Sequence, residues 1–292
     1  MASTQLAYLM AAGAALIWGL VVIFIKQARI AGRLGIGISV ATASVTMCAI
    51  AGRDLATLLE LPAAQLWLIF IAGTVQFTVA VTLYFEAIRR GRLSVVVPIT
   101  RLQILPLLGL SIVVGLEQFT WGLLGVSLIV VVGSVLVGRA NGDDTAQERK
   151  DHVASVIMAI ISCLTAAVGI TLLGMLPETL SPVTANAGVL TSGLISYVIY
   201  ALVSGTWREF RTVPLRGWLN FAGHGAFSLA LAYVLLIRAL QIAPPPRVMI
   251  VVTTFPLISA IVGWVVYKES FRASTVVGGI LIIGGVMLLQ TL

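Results

Sequence analysis

Residues 83–138, LYFEAIRRGRLSVVVPITRLQILPLLGLSIVVGLEQFTWGLLGVSLIVVVGSVLVG, return later in the chain as residues 235–290, LLIRALQIAPPPRVMIVVTTFPLISAIVGWVVYKESFRASTVVGGILIIGGVMLLQ. At a fixed offset of 152 residues, Leu83, Ala87, Val96, Leu105, Val113, Val114, Glu117, Gly133 and Leu136 match Leu235, Ala239, Val248, Leu257, Val265, Val266, Glu269, Gly285 and Leu288. Apolar matches carry little weight, because Leu, Val and Ala dominate both stretches. The acids are the informative pair: Glu117 and Glu269 each sit where one long apolar run ends and another begins, in a chain with only 11 acids to place. An internal repeat of this length reads as a duplicated half.

Outward from the repeat, the composition sets the class. The chain has 292 residues, 59% of them hydrophobic and 10% charged, against roughly 25% charged in a soluble domain. A bilayer core takes about 20 mostly apolar residues per helical span. Ten such runs can be marked: Leu6–Ala28, Leu34–Ala51, Leu66–Ile88, Ser94–Gly115, Trp121–Gly138, Val153–Leu176, Pro182–Gly205, Trp218–Leu240, Arg247–Tyr267 and Ala273–Leu292. Backbone polar groups in hydrocarbon must be satisfied within a segment, so runs of this length read as helices. The expected fold is an all-α membrane protein with ten transmembrane helices in two five-helix repeats, residues 1–138 and 153–292, joined by a polar loop, 139–152. An odd number of spans per half makes the second half enter from the opposite side, so the repeats are inverted. The N-terminus lacks a basic n-region and is read as the first span. Cys48 and Cys163 lie inside spans and read as small apolar filler.

The net charge of +7 invites a nucleic-acid reading, but its placement argues against one. The loops after spans 1, 3, 5, 7 and 9 hold Arg29, Arg33, Arg89, Arg90, Arg92, Arg139, Arg149, Lys150, Arg208, Arg211, Arg216, Lys268 and Arg272. The other side holds Arg53 and Arg247. This asymmetry is the positive-inside signal. It places the odd loops in the cytoplasm, both termini outside, and the chain in the cytoplasmic (inner) membrane, with the lipid bilayer as partner and no nucleic acid.

The recurring block resembles the EamA-type drug/metabolite transporter superfamily, through Tyr84-Phe85-Glu86-Ala87-Ile88, Gly115-Leu116-Glu117, Ile17-Trp18-Gly19 and Ile25-Lys26. The second half adds Phe255-Pro256-Leu257 and Lys268-Glu269, followed by Gly278, Gly279, Gly284 and Gly285. The resemblance implies a ten-helix member with two inverted repeats and a cavity lined by spans 1, 3, 4, 6, 8 and 9. Three features depart from it. Span 2 lacks the Arg of many relatives and span 6 has no counterpart to Trp18 or Lys26; Pro106 sits closer to Glu117 than Pro256 does to Glu269; and the charge count opposes the cytoplasmic termini of well-known members.

Ionisable side chains inside a span cost roughly 2.5–3.5 kcal/mol each on insertion scales and are functional candidates by default. Here they are Lys26, Glu86 and Arg101, all near the face with the basic loops, Arg101 standing between Pro98 and Pro106. Glu86 neutralises one cation, expected to be Lys26, and Arg101 is left for substrate. Lys26 and Glu86 could instead snorkel to the interface. Thr74, Thr78, Thr82 and Glu86 recur every four residues, a stripe that lines a water path or bonds to neighbouring helices. Gln76, Trp18, Tyr84 and His224 complete the candidate substrate site, the alternative being that His224 is a packed hydrogen bonder and that Trp18 and Tyr84 belong to the core. Arg238 is expected to pair with Glu178.

The glycines of spans 5 and 10 (Gly122, Gly125, Gly133; Gly278, Gly279, Gly284, Gly285) allow close helix approach, within the chain or across a homodimer. Metal and phosphate motifs are missing: there is no H-E-x-x-H, no Gly-rich phosphate loop and no G-x-S-x-G. No cofactor, metal or catalytic residue is therefore expected, and an enzyme is disfavoured. The expected function is secondary transport of a small anionic or zwitterionic metabolite by alternating access. The alternatives are an exporter of amino acids or hydrophobic compounds, with Trp18, Tyr84 and Phe77 dominant, and a non-transporting membrane subunit. The charge count predicts that a Cys placed in residues 139–152 is protected from an impermeant thiol reagent in intact cells, while a Cys near Thr4 is labelled. The reverse pattern would overturn the orientation.

Overall fold

The computed structural model describes residues 2–21, 23–24, 27, 32–90, 96, 99–138, 149–268 and 273–292, and these form helices joined by turns and short irregular segments, without a strand. The helices are α1 (Ala2–Leu20), α2 (Gly32–Ala51), α3 (63–90), α4 (Ile99–Val113), α5 (Trp121–Gly138), α6 (Arg149–Gly174), α7 (Pro182–Val203), α8 (Leu215–Leu240), α9 (245–267) and α10 (Ala273–Leu289). Seven are long and apolar enough to cross a membrane. Three of the ten runs marked in the sequence, at Ile99–Val113, Trp121–Val137 and Ala273–Leu289, are apolar helices of 10–17 residues.

Packing pairs α5 with α10, α2 with α7, α3 with α6, α1 with α8, and α4 with α9. Exchanging the first five helices for the last five leaves this set of pairs unchanged. The α5–α10 seam is closed by small residues: a Cβ on Gly133 would lie 2.7 Å from the Gly278 carbonyl, and one on Gly278 would lie 2.5 Å from the Gly133 carbonyl. These glycines are thus used within the chain. Gly125 and Gly284 face open space.

The backbone irregularities repeat as well. α3 contains a π-helical turn at Thr74–Ala80, and α8 contains one at Gly225–Leu231, starting 151 residues later. The helix breaks at residues 102–103 in α4 and at 253–254 in α9 have the same spacing. Left-handed residues end α2 and α7 at Gly52 and Gly205 (φ 52° and 74°), and follow α4 and α9 at Gly115 and Lys268 (φ 77° and 55°). Glycine carries that conformation without a Cβ penalty, whereas Lys268 adopts it as the only described non-glycine.

A π turn disturbs the regular ladder and leaves carbonyls that must be satisfied from elsewhere in hydrocarbon. In α8 they are: Trp18 Nε1 donates to the Ser228 carbonyl at 3.0 Å, and Asn186 Nδ2 donates to those of Leu229 and Ala230 at 3.1 and 2.9 Å. In α3, Ser162 Oγ donates to the Ala80 carbonyl at 2.8 Å. Leaving a buried carbonyl unpaired costs about 1–3 kcal/mol. Asn186→Leu, which strips two carbonyls of their donor, should therefore lower the thermal midpoint of the purified protein by several degrees. Val183→Leu, a near neighbour that removes no hydrogen bond, should shift it far less. Equal midpoints for wild type and Asn186→Leu would refute the role of Asn186.

Candidate functional site

The middle of the bundle is built from aromatic rings on four helices. Trp18 of α1 meets Tyr233 of α8 edge-on, with ring centres 5.3 Å apart, and Phe255 of α9 at 6.4 Å. Phe77, in the α3 π turn, lies 4.8 Å from Tyr233. Gln76, the adjacent residue, donates from Nε2 to the Tyr233 hydroxyl at 2.9 Å. Its Oε1 is buried without a partner and lies against Gly169 of α6, where a Cβ would collide with it. Gly169 is thus the residue that admits a polar amide between α3 and α6.

Arg101 stands at the start of α4, ahead of the break at 102–103. Its guanidinium carbon lies 4.2 Å above the Phe255 ring, and its Nε is buried without a hydrogen-bond partner. Tyr84 of α3 is within electrostatic reach. A cation on an aromatic face gains about 2 kcal/mol when desolvated, less than the roughly 2.5–3.5 kcal/mol that insertion scales assign to a mid-span Arg. The ring also accepts none of the five N–H donors that a guanidinium carries. Among the described residues, Arg101 has no carboxylate partner, whereas Arg90 pairs with Glu86 at 2.8 Å and Arg247 pairs with Glu117 at 2.7 Å.

The structure therefore brings Arg101, Trp18, Gln76 and Tyr84 toward one region, between α1, α3, α4, α8 and α9. Lys26 and Pro98 lie outside the described residues. Glu86 takes Arg90 from the next turn of its own helix and has further interactions besides. His224 is elsewhere: it is buried in α8, where Ser39 Oγ lies 2.9 Å from its Nδ1 and 2.9 Å from the Phe221 carbonyl. Since the single hydroxyl proton goes to that carbonyl, His224 Nδ1 must be the donor to Ser39. This is a helix-to-helix link between α2 and α8.

The threonine stripe on α3 also bonds to a neighbour. Thr74 meets Ser196 at 2.6 Å and Thr78 donates to the Gly193 carbonyl at 2.8 Å, both on α7. Thr82 Oγ1 is buried without a partner. Arg238 hydrogen-bonds Gln241 at 3.3 Å instead of pairing with Glu178: at the exposed end of α8, a side chain one turn on is the nearer acceptor.

Sequence reasoning missed Tyr233, Phe255 and Asn186 as parts of this region. Tyr233 has no repeat signal, since Val81 occupies its place in the first half. Asn186 did carry one, being an amide inside an apolar run of the kind that singled out Gln76.

Comparison with known proteins bears on the whole chain. A crystal structure described only as "protein" superposes with a TM-score of 0.79 at 15% identity, covering 98% of this chain and 96% of its own. At that identity the likeness establishes the fold alone. No curated protein matches. The family model for EamA-like transporters matches twice, over residues 5–139 and 153–291. The chain is a multi-pass membrane protein that belongs to the EamA-like transporter family.

Proposed function

We propose that this protein is a secondary transporter that binds the anionic group of a small metabolite at Arg101 and works by alternating access. The observation that carries this reading is the guanidinium held over Phe255 with a buried, unpartnered Nε and no carboxylate among the described residues. Arg cannot shed its proton to escape burial, so this charge must face water or meet an anion. A planar fork of donors suits a carboxylate or phosphate. Gln76, Tyr84 and Trp18 border the same region and would contact the rest of the substrate.

The architecture we propose has ten crossings, three of them short, in two inverted repeats spanning residues 1–138 and 153–292. A helix of 15–17 residues crosses where the bilayer thins or the neighbours shield its ends. The exchange symmetry of the helix pairs and the recurrence of π turns, breaks and left-handed ends support the repeat. The basic odd loops favour termini outside the cytoplasmic membrane.

A second reading, export of amino acids or hydrophobic compounds, draws on the ring cluster. Phe77 and Tyr233 are buried, however, and pack against one another with ring centres 4.8 Å apart, which favours a packing role for those two rings. The test is a graded series at Arg101. Arg101→Lys keeps the charge and loses the fork; Arg101→Gln loses both. A charge-assisted hydrogen bond contributes about 1.5–3 kcal/mol, so affinity should fall in the order wild type, Lys, Gln, by roughly 10- to 100-fold over the series, at similar membrane levels. Equal affinities would refute anion binding at Arg101, and loss of folded protein in both variants would make it structural.

A further inference from the structure

Arg101 stands in the first turn of α4, and Glu117 lies 16 residues on, in the segment that follows the end of α4 at Val113. The Glu117 side chain is only 5% exposed. Its Oε2 accepts from Arg247 Nε at 2.7 Å, and its Oε1 accepts from Arg247 Nη2 at 3.3 Å and from the Gln118 backbone N–H at 3.0 Å. Arg247 sits in the first turn of α9. The Tyr8 hydroxyl, from the first half of α1, faces the same guanidinium. On the α6 side, Pro245 packs over Gly174, where a Cβ would lie 2.5 Å from the proline ring, with Leu116 alongside. The beginnings of α1 and α9 and the ends of α4 and α6 thus converge at one face of the bundle.

Two features make this pair more than a surface contact. It joins the two halves of the chain, since Glu117 belongs to the first and Arg247 to the second, and it ties the segment that follows α4 to the first turn of α9, the two helices that also meet at Arg101 and Phe255. It is also one-sided: the repeat position of Arg247 is Val95, which cannot form an ion pair. A pair with both donors of the fork engaged and the acid shielded holds firmly while water is kept out and releases once water is admitted.

We propose that Glu117–Arg247 is the gate of the face on which α1 begins: made while the central region is shut on that side, broken when α4 and α9 part there. The inference rests on the transporter reading, but its test needs no substrate. In a chain with Cys48 and Cys163 replaced by Ser, spin labels are placed at Gln118→Cys and Pro244→Cys, next to the pair in the segment after α4 and just before α9. Wild type should give a dominant short distance. Glu117→Gln, and separately Arg247→Glu, should shift most of the population to a longer one, while the swapped pair Glu117→Arg with Arg247→Glu should restore the short distance.

Identical distributions in wild type and both single variants would overturn the gate. Loss of folded protein in the single variants with recovery in the swap keeps the pairing and moves the reading to the swap's own distance distribution, which must then show both populations. Loss in all three makes the pair structural and overturns the proposal. If the distances respond as expected but no solute is carried by the wild type in reconstituted vesicles, the transporter reading fails while the gate stands. If transport is intact and the distances never change, the gate fails alone.

Discussion

Hydrocarbon offers no hydrogen bonds, so each polar group that the chain sends into the membrane must find its partner in the chain. The arrangement of helices follows from how this is met. Where α3 and α8 widen into π turns, donors arrive from other helices: Trp18 from α1 and Asn186 from α7 serve α8, and Ser162 from α6 serves α3. The donors fix which helices lie side by side. Buried threonines and serines add links of the same kind, and the Gly133–Gly278 approach lets α5 and α10 pack backbone to backbone. Apolar surface gives no comparable direction, because lipid tails are as apolar as leucine.

Charges follow the same rule with larger stakes. Arg247 and Glu117 satisfy one another, and Arg90 serves Glu86. Arg33 reaches both oxygens of Glu209 at 2.7 Å, while the Tyr197 hydroxyl donates to the Arg33 carbonyl. Arg101 breaks the pattern, held by a ring that offers attraction but no acceptor. Gln76 Oε1 and Thr82 Oγ1 are also buried without partners, but they are neutral; among the described residues Arg101 joins a fixed charge to a buried, unpartnered Nε without a carboxylate, which makes it the feature most in need of an outside partner. Its position beside a helix break on α4, opposite the equivalent break on α9, places it where the two halves meet.

Much of the fold was legible in the sequence because apolar run length and the doubled Glu117 and Glu269 positions survive without knowledge of contacts. The bounds of α5, Trp121–Gly138, were legible outright, and α10 ends at Leu289, three residues short of the apolar run. The π turns were invisible: the hydrophobic pattern of residues 74–80 fits a regular helix as well as a widened one. At the site, Arg101 stood out because a fixed charge in an apolar run is costly. Its ring partner did not, since nothing in Phe255-Pro256 says which helix the phenyl faces. The Glu86–Arg90 pair was legible from its i, i+4 spacing, whereas the expected pairing of Glu86 with Lys26 falls outside the described residues. His224 stood out for its titratable ring, and the link that this ring makes between α2 and α8 could not be read from the sequence.

The central claim is that the unmatched guanidinium of Arg101 sets the charge of the substrate. It is tested most directly on the wild-type protein, in lipid nanodiscs, by titrating sets of three small metabolites that share one body and differ only in bearing a carboxylate, its neutral amide or an amine. The account predicts that, for whichever body binds, the carboxylate raises the thermal midpoint with saturating dependence while the amide and amine leave it close to the unliganded value. Stabilisation of equal size by carboxylate and amide, or preference for the amine, would contradict it.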